Sequence, residues 1–263
     1  MTGRINRLNV YPLSFKEYLR FKSARVSPIE NYRQTSLFES YLNQGGYPEF
    51  VLNPQDRAYF SDLIDNIIYK DIVSVYQLRN PQVVKELLLL LADRVGHHTT
   101  YTRLAQILAI DVDTVKEYLF YLKNTFLIFE VTKFGYARGP KIYGPKKFYF
   151  WDNGLWLSLI GRRPLGPSLE QVVAQKLARD QVEFGFYYQD KKELDFIYLT
   201  KNRKQHLLEV KYQVSSPEFD LVEYLRLAKK LEAKKLQVVT FDQGWQGAVD
   251  NIDLELVPGY RWV

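Results

Sequence analysis

Four residues in the last hundred, Glu170, Asp195, Glu209 and Lys211, have the types and spacing to hold a divalent cation and cut a phosphodiester. In an extended reading, side chains alternate between faces, so Glu193 and Asp195 point one way, and Glu209 and Lys211 share a face two residues apart. Paired antiparallel residues lie on one side of a sheet, so Asp195 opposes Glu209 or Lys211 but not Val210; a five-residue loop, Thr200 to Lys204, gives the Glu209 pairing. On a preceding helix, Glu170 lies on the stripe of Val173, Ala174 and Leu177, at the margin of an apolar face. Carboxylates beside large apolar residues are costly unless compensated, and a hydrated Mg²⁺ or Mn²⁺ is one such compensation. Asp195 and Glu209 would then ligate directly, the Val210 carbonyl would add a ligand, and Glu170 would bind directly or through water. Lys211 would orient the attacking water while the metal acts as Lewis acid, which makes Glu170, Asp195, Glu209 and Lys211 the catalytic candidates. The competing reading is a cross-strand salt bridge among Asp195, Glu209 and Lys211, with Glu170 solvated.

The elements that must position these residues follow from periodicity. Residues 166–263 read as a helix (Leu169 to Ala178), three strands (Phe186 to Tyr188, Glu193 to Leu199, Leu207 to Tyr212), a helix (Phe219 to Ala233) and a strand (Leu236 to Phe241), an αβββαβ order; the remaining stretch to Val263 allows one more edge strand. Residues 79–165 begin with Asn80 as N-cap and Pro81 at the first helical position, and the apolar stretch Val83 to Val95 stops at Gly96. A short helix from Thr100 to Leu108, a turn at Ala109-Ile110 and a third helix from Asp111 to Lys123 form a helix-turn-helix pattern. Leu127 to Val131 and Phe148 to Phe150 supply a two-stranded wing. Residues 1–78 read as mostly helical, with one helix ending at Gly45-Gly46 and another from Ala58 to Tyr76. The expected fold is thus α/β in the α+β sense: a helical N-terminal segment, a winged helix-turn-helix, and a C-terminal αβββαβ domain.

The charge lies ahead of the carboxylates. The chain's net charge of +6 divides into 22 Lys+Arg against 15 Asp+Glu over residues 1–165, and 14 against 15 over residues 166–263. A basic surface favours a polyanionic partner, so DNA is expected to dock with the third helix in the major groove, through Lys116 and Lys123, and with Arg138, Lys141, Lys146 and Lys147 of the wing on phosphates. The alternative is a winged helix used only for packing or protein contact. With no Cys and three His, thiolate zinc and thiol nucleophiles are excluded, and any metal must be a hard cation held by oxygen. His97-His98 reads as a turn before a helix and His206 as a strand residue. Tyr136 and Tyr143 are candidates for base stacking. No run of about 18 apolar residues exists for a membrane span and the first residues lack a signal peptide's apolar core, which points to a cytoplasmic protein.

The segments Gly3-Arg4, Tyr11-Pro12-Leu13-Ser14-Phe15-Lys16-Glu17-Tyr18, Gly45-Gly46-Tyr47-Pro48-Glu49, Lys70-Asp71-Ile72, Tyr118-Leu119 and Asp152-Asn153-Gly154-Leu155 resemble the C-terminal region of archaeal and bacterial AAA-type ATPases, a domain of unknown function. The resemblance covers nearly the whole chain. It implies a winged helix joined to a PD-(D/E)xK nuclease-like fold, with Glu170, Asp195 and Glu209-Val210-Lys211 as its signature, and residues 1–78 as the tail of an ATPase-like module and linker. The chain has no G-x-x-x-x-G-K-[ST] phosphate-binding loop, so no ATP site is expected in it. A fragment, a truncated product and a partner of a separately encoded ATPase all stay open. The leading expectation is a metal-dependent nuclease or nuclease-derived DNA-binding protein. Its rival is a non-catalytic regulatory or interaction module of an AAA-type ATPase system, binding the ATPase module or a second copy of itself.

Overall fold

The computed structural model describes residues 8–23, 31–54, 58–78, 80–135, 143–189, 192–216 and 220–263. Its architecture is mixed α/β, with a helical N-terminal part and a C-terminal mixed sheet. Helix α1 (Phe15–Phe21) starts where Ser14 and Glu17 cap each other reciprocally, satisfying backbone donors that the first helical turn leaves open. Helix α2 (Asn31–Gln44) ends at Gly45, whose φ of +76° a side-chain-bearing residue rarely adopts. After α3 (Pro48–Leu52), α4 (Tyr59–Asn66) runs through a π-helical stretch, Ile67–Val73, into α5 (Ser74–Tyr76), along the span expected from Ala58 to Tyr76.

Helix α6 (Pro81–Ala92) has Pro81 in its first turn, though the Asn80 side chain makes no capping bond; Val84, Leu87, Leu88 and Leu91 are buried at helical spacing. The chain then turns at Gly96. Thr100 caps α7 (Tyr101–Leu108) by accepting from the Arg103 N–H, Ala109 turns through the left-handed region at φ 52°, and α8 (Val112–Asn124) follows. Strands β1 (Ile128–Thr132) and β2 (Lys146–Phe150) pair antiparallel, with Ile128 opposite Phe150. Every residue of β2 is buried, so this pair does not project as a wing; it lies inside the molecule. Helix α9 (Asn153–Ile160), not anticipated from periodicity, is capped by Asp152 and stopped by Gly161.

Helix α10 (Leu165–Arg179) leads into β3 (Glu183–Gln189), β4 (Lys192–Leu199), β5 (Gln205–Val210), α11 (Val222–Lys230) and β6 (Lys235–Thr240), the expected αβββαβ order. The remainder supplies two strands where one edge strand was expected: β7 (Trp245–Val249) and β8 (Ile252–Pro258), then a single turn, α12 (Gly259–Trp262). The sheet order is β3-β4-β5-β6-β8-β7; β8 runs parallel to β6 and β7 forms the edge. The buried alternation of Ile252, Leu254 and Leu256 explains why β8 takes the inner place. Leu225 and Ala228 of α11 pack with Leu207, Leu236 and Val238, while α10 packs Leu169, Val173 and Leu177 in a separate core with Phe196, Leu208 and Val210.

That second core also contains Phe38, Leu87 and Tyr149, so it runs across the borders expected near residues 78 and 165. A buried polar knot ties the same parts together. Asp152 accepts from the Gly46 N–H at 2.6 Å, and the Asn153 amide donates to the carbonyls of Leu42 and Ser168. Gln171 accepts from the Phe150 N–H and donates to Asn153. Gly154 lies so close to α2 that an added Cβ would stand 2.1 Å from the Gln44 carbonyl oxygen. The Gly45-Gly46 and Asp152-Asn153-Gly154-Leu155 motifs are therefore two sides of one packing contact. Among the described residues no helix is long and apolar enough to cross a membrane.

Candidate functional site

Strands β4 and β5 pair from Leu199 opposite Gln205, across the loop Thr200 to Lys204, up to Phe196 opposite Leu208. One step further the ladder gives way to side chains. The Asp195 N–H donates to Glu209 Oε2 at 3.2 Å, and the Val210 N–H donates to Asp195 Oδ2 at 2.9 Å. Each carboxylate thus satisfies a backbone donor of the other strand, where an open donor would otherwise be buried. On the other side of β4, Gly185 faces Ile197 and Tyr187 faces Leu194, so Phe186 stands against both Asp195 and Phe196. This is a β-bulge, and it corrects the simple alternation: Leu194 and Ile197 enter one core while Phe196 enters the other. The bulge lets Asp195 reach toward β2 and α10.

What it meets there is Lys147. The Lys147 side chain is 0% exposed, and its Nζ lies 2.7 Å from Glu193, 3.1 Å from Glu170 and 3.4 Å from Asp195. Tyr149, two residues along β2, donates its hydroxyl to the same Glu170 oxygen at 2.6 Å. Gly96, with φ +81°, lets α10 approach: an added Cβ would stand 2.8 Å from Glu170 Oε2. His98 Nδ1 is 3.5 Å from Glu193, and its ring packs on Tyr188 with centroids 4.2 Å apart. Burial by itself would drive the Lys147 ammonium toward neutrality, but Glu170, Tyr149, Asp195 and Glu193 outweigh it and hold the pKa well above the ordinary lysine value. Burial and the Asp195 charge push Glu170 up to about 7 against the pull of Lys147.

Lys211, part-exposed, is the second cation of the cluster. Its Nζ lies 2.9 Å from Glu209 and 2.8 Å from the Tyr224 hydroxyl of α11. Burial, together with Asp195, raises the Glu209 pKa to about 8 despite Lys211. Desolvation opposes the Lys211 charge, yet Glu209 and Tyr224 keep its pKa above the ordinary value.

Glu170, Asp195, Glu209 and Lys211 therefore belong to one connected cluster, and Val210 joins it through its N–H. The donors do not fit Mg²⁺ or Mn²⁺ as they stand. A divalent cation wants several oxygens at about 2.0–2.6 Å, whereas these carboxylates already serve two ammonium groups and two backbone N–H groups. Among the described residues no three His, Asp or Glu side chains are arranged to hold a metal ion.

The expected phosphate contacts fare differently. Lys146 and Lys147 are buried, at 2% and 0% exposure, and so are not wing residues facing DNA. The reason is local: successive residues of β2 point to opposite faces and both faces are covered, so Lys147 enters the carboxylates while Lys146 lies 4.7 Å from the Tyr101 ring and donates to the Gly144 carbonyl. Lys123 pairs with Glu130 at 2.9 Å, and Lys116 pairs at the surface with Asp113 at 2.8 Å. Arg138 and Lys141, like Tyr136, lie outside the described residues. Lys147, Tyr149, Glu193, His98 and Tyr224 were absent from the expected cluster. A signal existed for Lys147: a lysine inside the run Lys-Lys-Phe-Tyr-Phe must find buried counter-charges if that strand is covered on both sides.

Two family models match, each described as a domain of unknown function. One (DUF8612) covers residues 35–166, half of the chain, and the other (DUF4143) covers residues 165–253. The second is typically the C-terminal region of AAA-type ATPase-like proteins. The chain is 28% identical over its full length to the uncharacterized protein MJ1544 of Methanocaldococcus jannaschii, covering 64% of it. It is 27% identical, over 75% of its length, to an uncharacterized protein of Haemophilus influenzae, covering 51% of that protein. The chain thus spans less than two thirds of either relative. No solved structure matches. By the match over residues 35–166, the chain belongs to the family of the domain of unknown function DUF8612.

Proposed function

We propose that this chain is a nuclease-derived, non-hydrolytic interaction module of an AAA-type ATPase-like system. In this reading α6 to α8 with β1 and β2 are a winged helix absorbed into the core, and α10 to β6 are a PD-(D/E)xK-like domain. The observation that carries it is Lys147: a sealed ammonium stands among Glu170, Glu193 and Asp195, at 2.7 to 3.4 Å, where a catalytic cation would have to sit. The cluster then joins β2, α10 and β4 through an ammonium group in place of a Lewis acid. The link to an ATPase rests on the DUF4143 match; the partner is an ATPase module or a second copy of the chain.

A hydrolytic reading keeps one specific support, the convergence of Glu170, Asp195, Glu209 and Lys211 in a single network. It requires Lys147 to withdraw before a Mg²⁺ or Mn²⁺ can be held. Incubation of plasmid and branched DNA with the purified chain and either metal separates the two. The module reading expects no cleavage above that of Asp195→Ala and Glu209→Ala; metal-dependent cuts that both substitutions abolish would replace it with the nuclease reading.

A further inference from the structure

Lys146 and Lys147 are neighbours on β2 that serve opposite sides, and the side of Lys146 opens on a different feature. A cavity of about 630 Å³ lies between α7, α8 and the chain entering β2, lined by the rings of Tyr101, Phe120 and Tyr143 and by Lys116, Lys123 and Lys146. No Asp or Glu is among its described lining residues. Phe120 of α8 is 52% exposed and Tyr143, just before β2, 86% exposed, so both rings are open to a ligand.

Rings at the wall and ammonium groups at the rim suit a ligand that alternates planar faces with negative charge. Lys116 offers its charge from an exposed pair with Asp113, and such surface pairs are worth little and yield readily to a phosphate. Lys123, held by Glu130, adds a second positive group nearby. Duplex DNA hides its base faces in the stack, so it could use the lysines but not the rings. An unpaired strand uses both.

We infer that this groove binds single-stranded nucleic acid, with bases against Phe120 and Tyr143 and phosphates near Lys116 and Lys123. The inference is independent of the carboxylate cluster: it holds whether or not that cluster is hydrolytic.

The test is fluorescence anisotropy of the full chain with a labelled oligothymidylate and with a duplex of the same length. The single strand should bind more tightly than the duplex, and Phe120→Ala and Tyr143→Ala should each weaken it by about tenfold, with Lys116→Ala reducing the salt dependence. Both rings are exposed, so circular dichroism of these variants should match the wild type. Equal or tighter duplex binding that the ring substitutions leave unchanged would overturn the inference in favour of a phosphate-only contact, and an absence of binding to either probe would overturn it outright.

Discussion

The Lys147 ammonium lies 2.7 Å from a Glu193 carboxylate oxygen while Lys147 itself is sealed from solvent. With Glu170 and Asp195 at 3.1 and 3.4 Å, it is the shared counter-charge of three acids, of which Glu170 and Asp195 are mostly buried and Glu193 is part-exposed. Removing one partner of a buried ion network leaves the others uncompensated, which costs about 3–5 kcal/mol. Lys147→Met should therefore lower the unfolding free energy in urea by that amount, and adding Glu193→Gln should recover part of it. A loss well under about 1 kcal/mol would mean that Lys147 is not the counter-charge.

Acid and base should act unequally on stability. Burial raises the pKa of Asp152 to about 6, Glu170 to about 7 and Glu209 to about 8. A carboxyl whose folded pKa exceeds its unfolded value binds its proton more tightly when folded. Its contribution is complete below the unfolded pKa and is lost as pH rises through the folded one. Unfolding free energy should accordingly fall between about pH 4 and pH 8, and Glu209→Gln should flatten the upper part of that slope. Urea titrations at several pH values would check it; stability rising through the same window would contradict it.

Gly154 meets the Gln44 carbonyl so closely that a Cβ would stand 2.1 Å away, and 2.7 Å from the Phe60 ring. Gly154→Ala should destabilise by about 1–3 kcal/mol, the usual cost of overpacking. The contact joins α2 to α9 within a core that also holds α10, so the loss should appear as a shift of one cooperative thermal transition. Two separated transitions would show that the parts before and after residue 165 fold independently.

Much of this was legible in the sequence, for reasons that also explain the failures. The αβββαβ order and the pairing of Asp195 beside Glu209 follow from period-2 alternation and a countable loop. The helices α6, α7 and α8 follow from Pro81, Thr100 and the apolar spacing. The bulge opposite Phe186 was hidden, because an extra residue in a strand leaves no mark in composition. In sequence, Lys146 and Lys147 fall in a basic stretch that reads as a wing meeting phosphates. Only the covering of β2 on both faces, by elements distant in sequence, turns one of them into the centre of the cluster. Helix α9 escaped because its apolar residues are buried nearly all round, which erases the one-sided stripe that marks a surface helix.

The central claim is that Lys147 holds the place of a cation among these carboxylates. Isothermal titration of the wild-type chain with Mn²⁺, beside Asp195→Asn and Glu209→Gln, tests it most directly. The account predicts no saturable Mn²⁺ uptake by the wild type that either substitution removes. Stoichiometric binding that both substitutions abolish would contradict it.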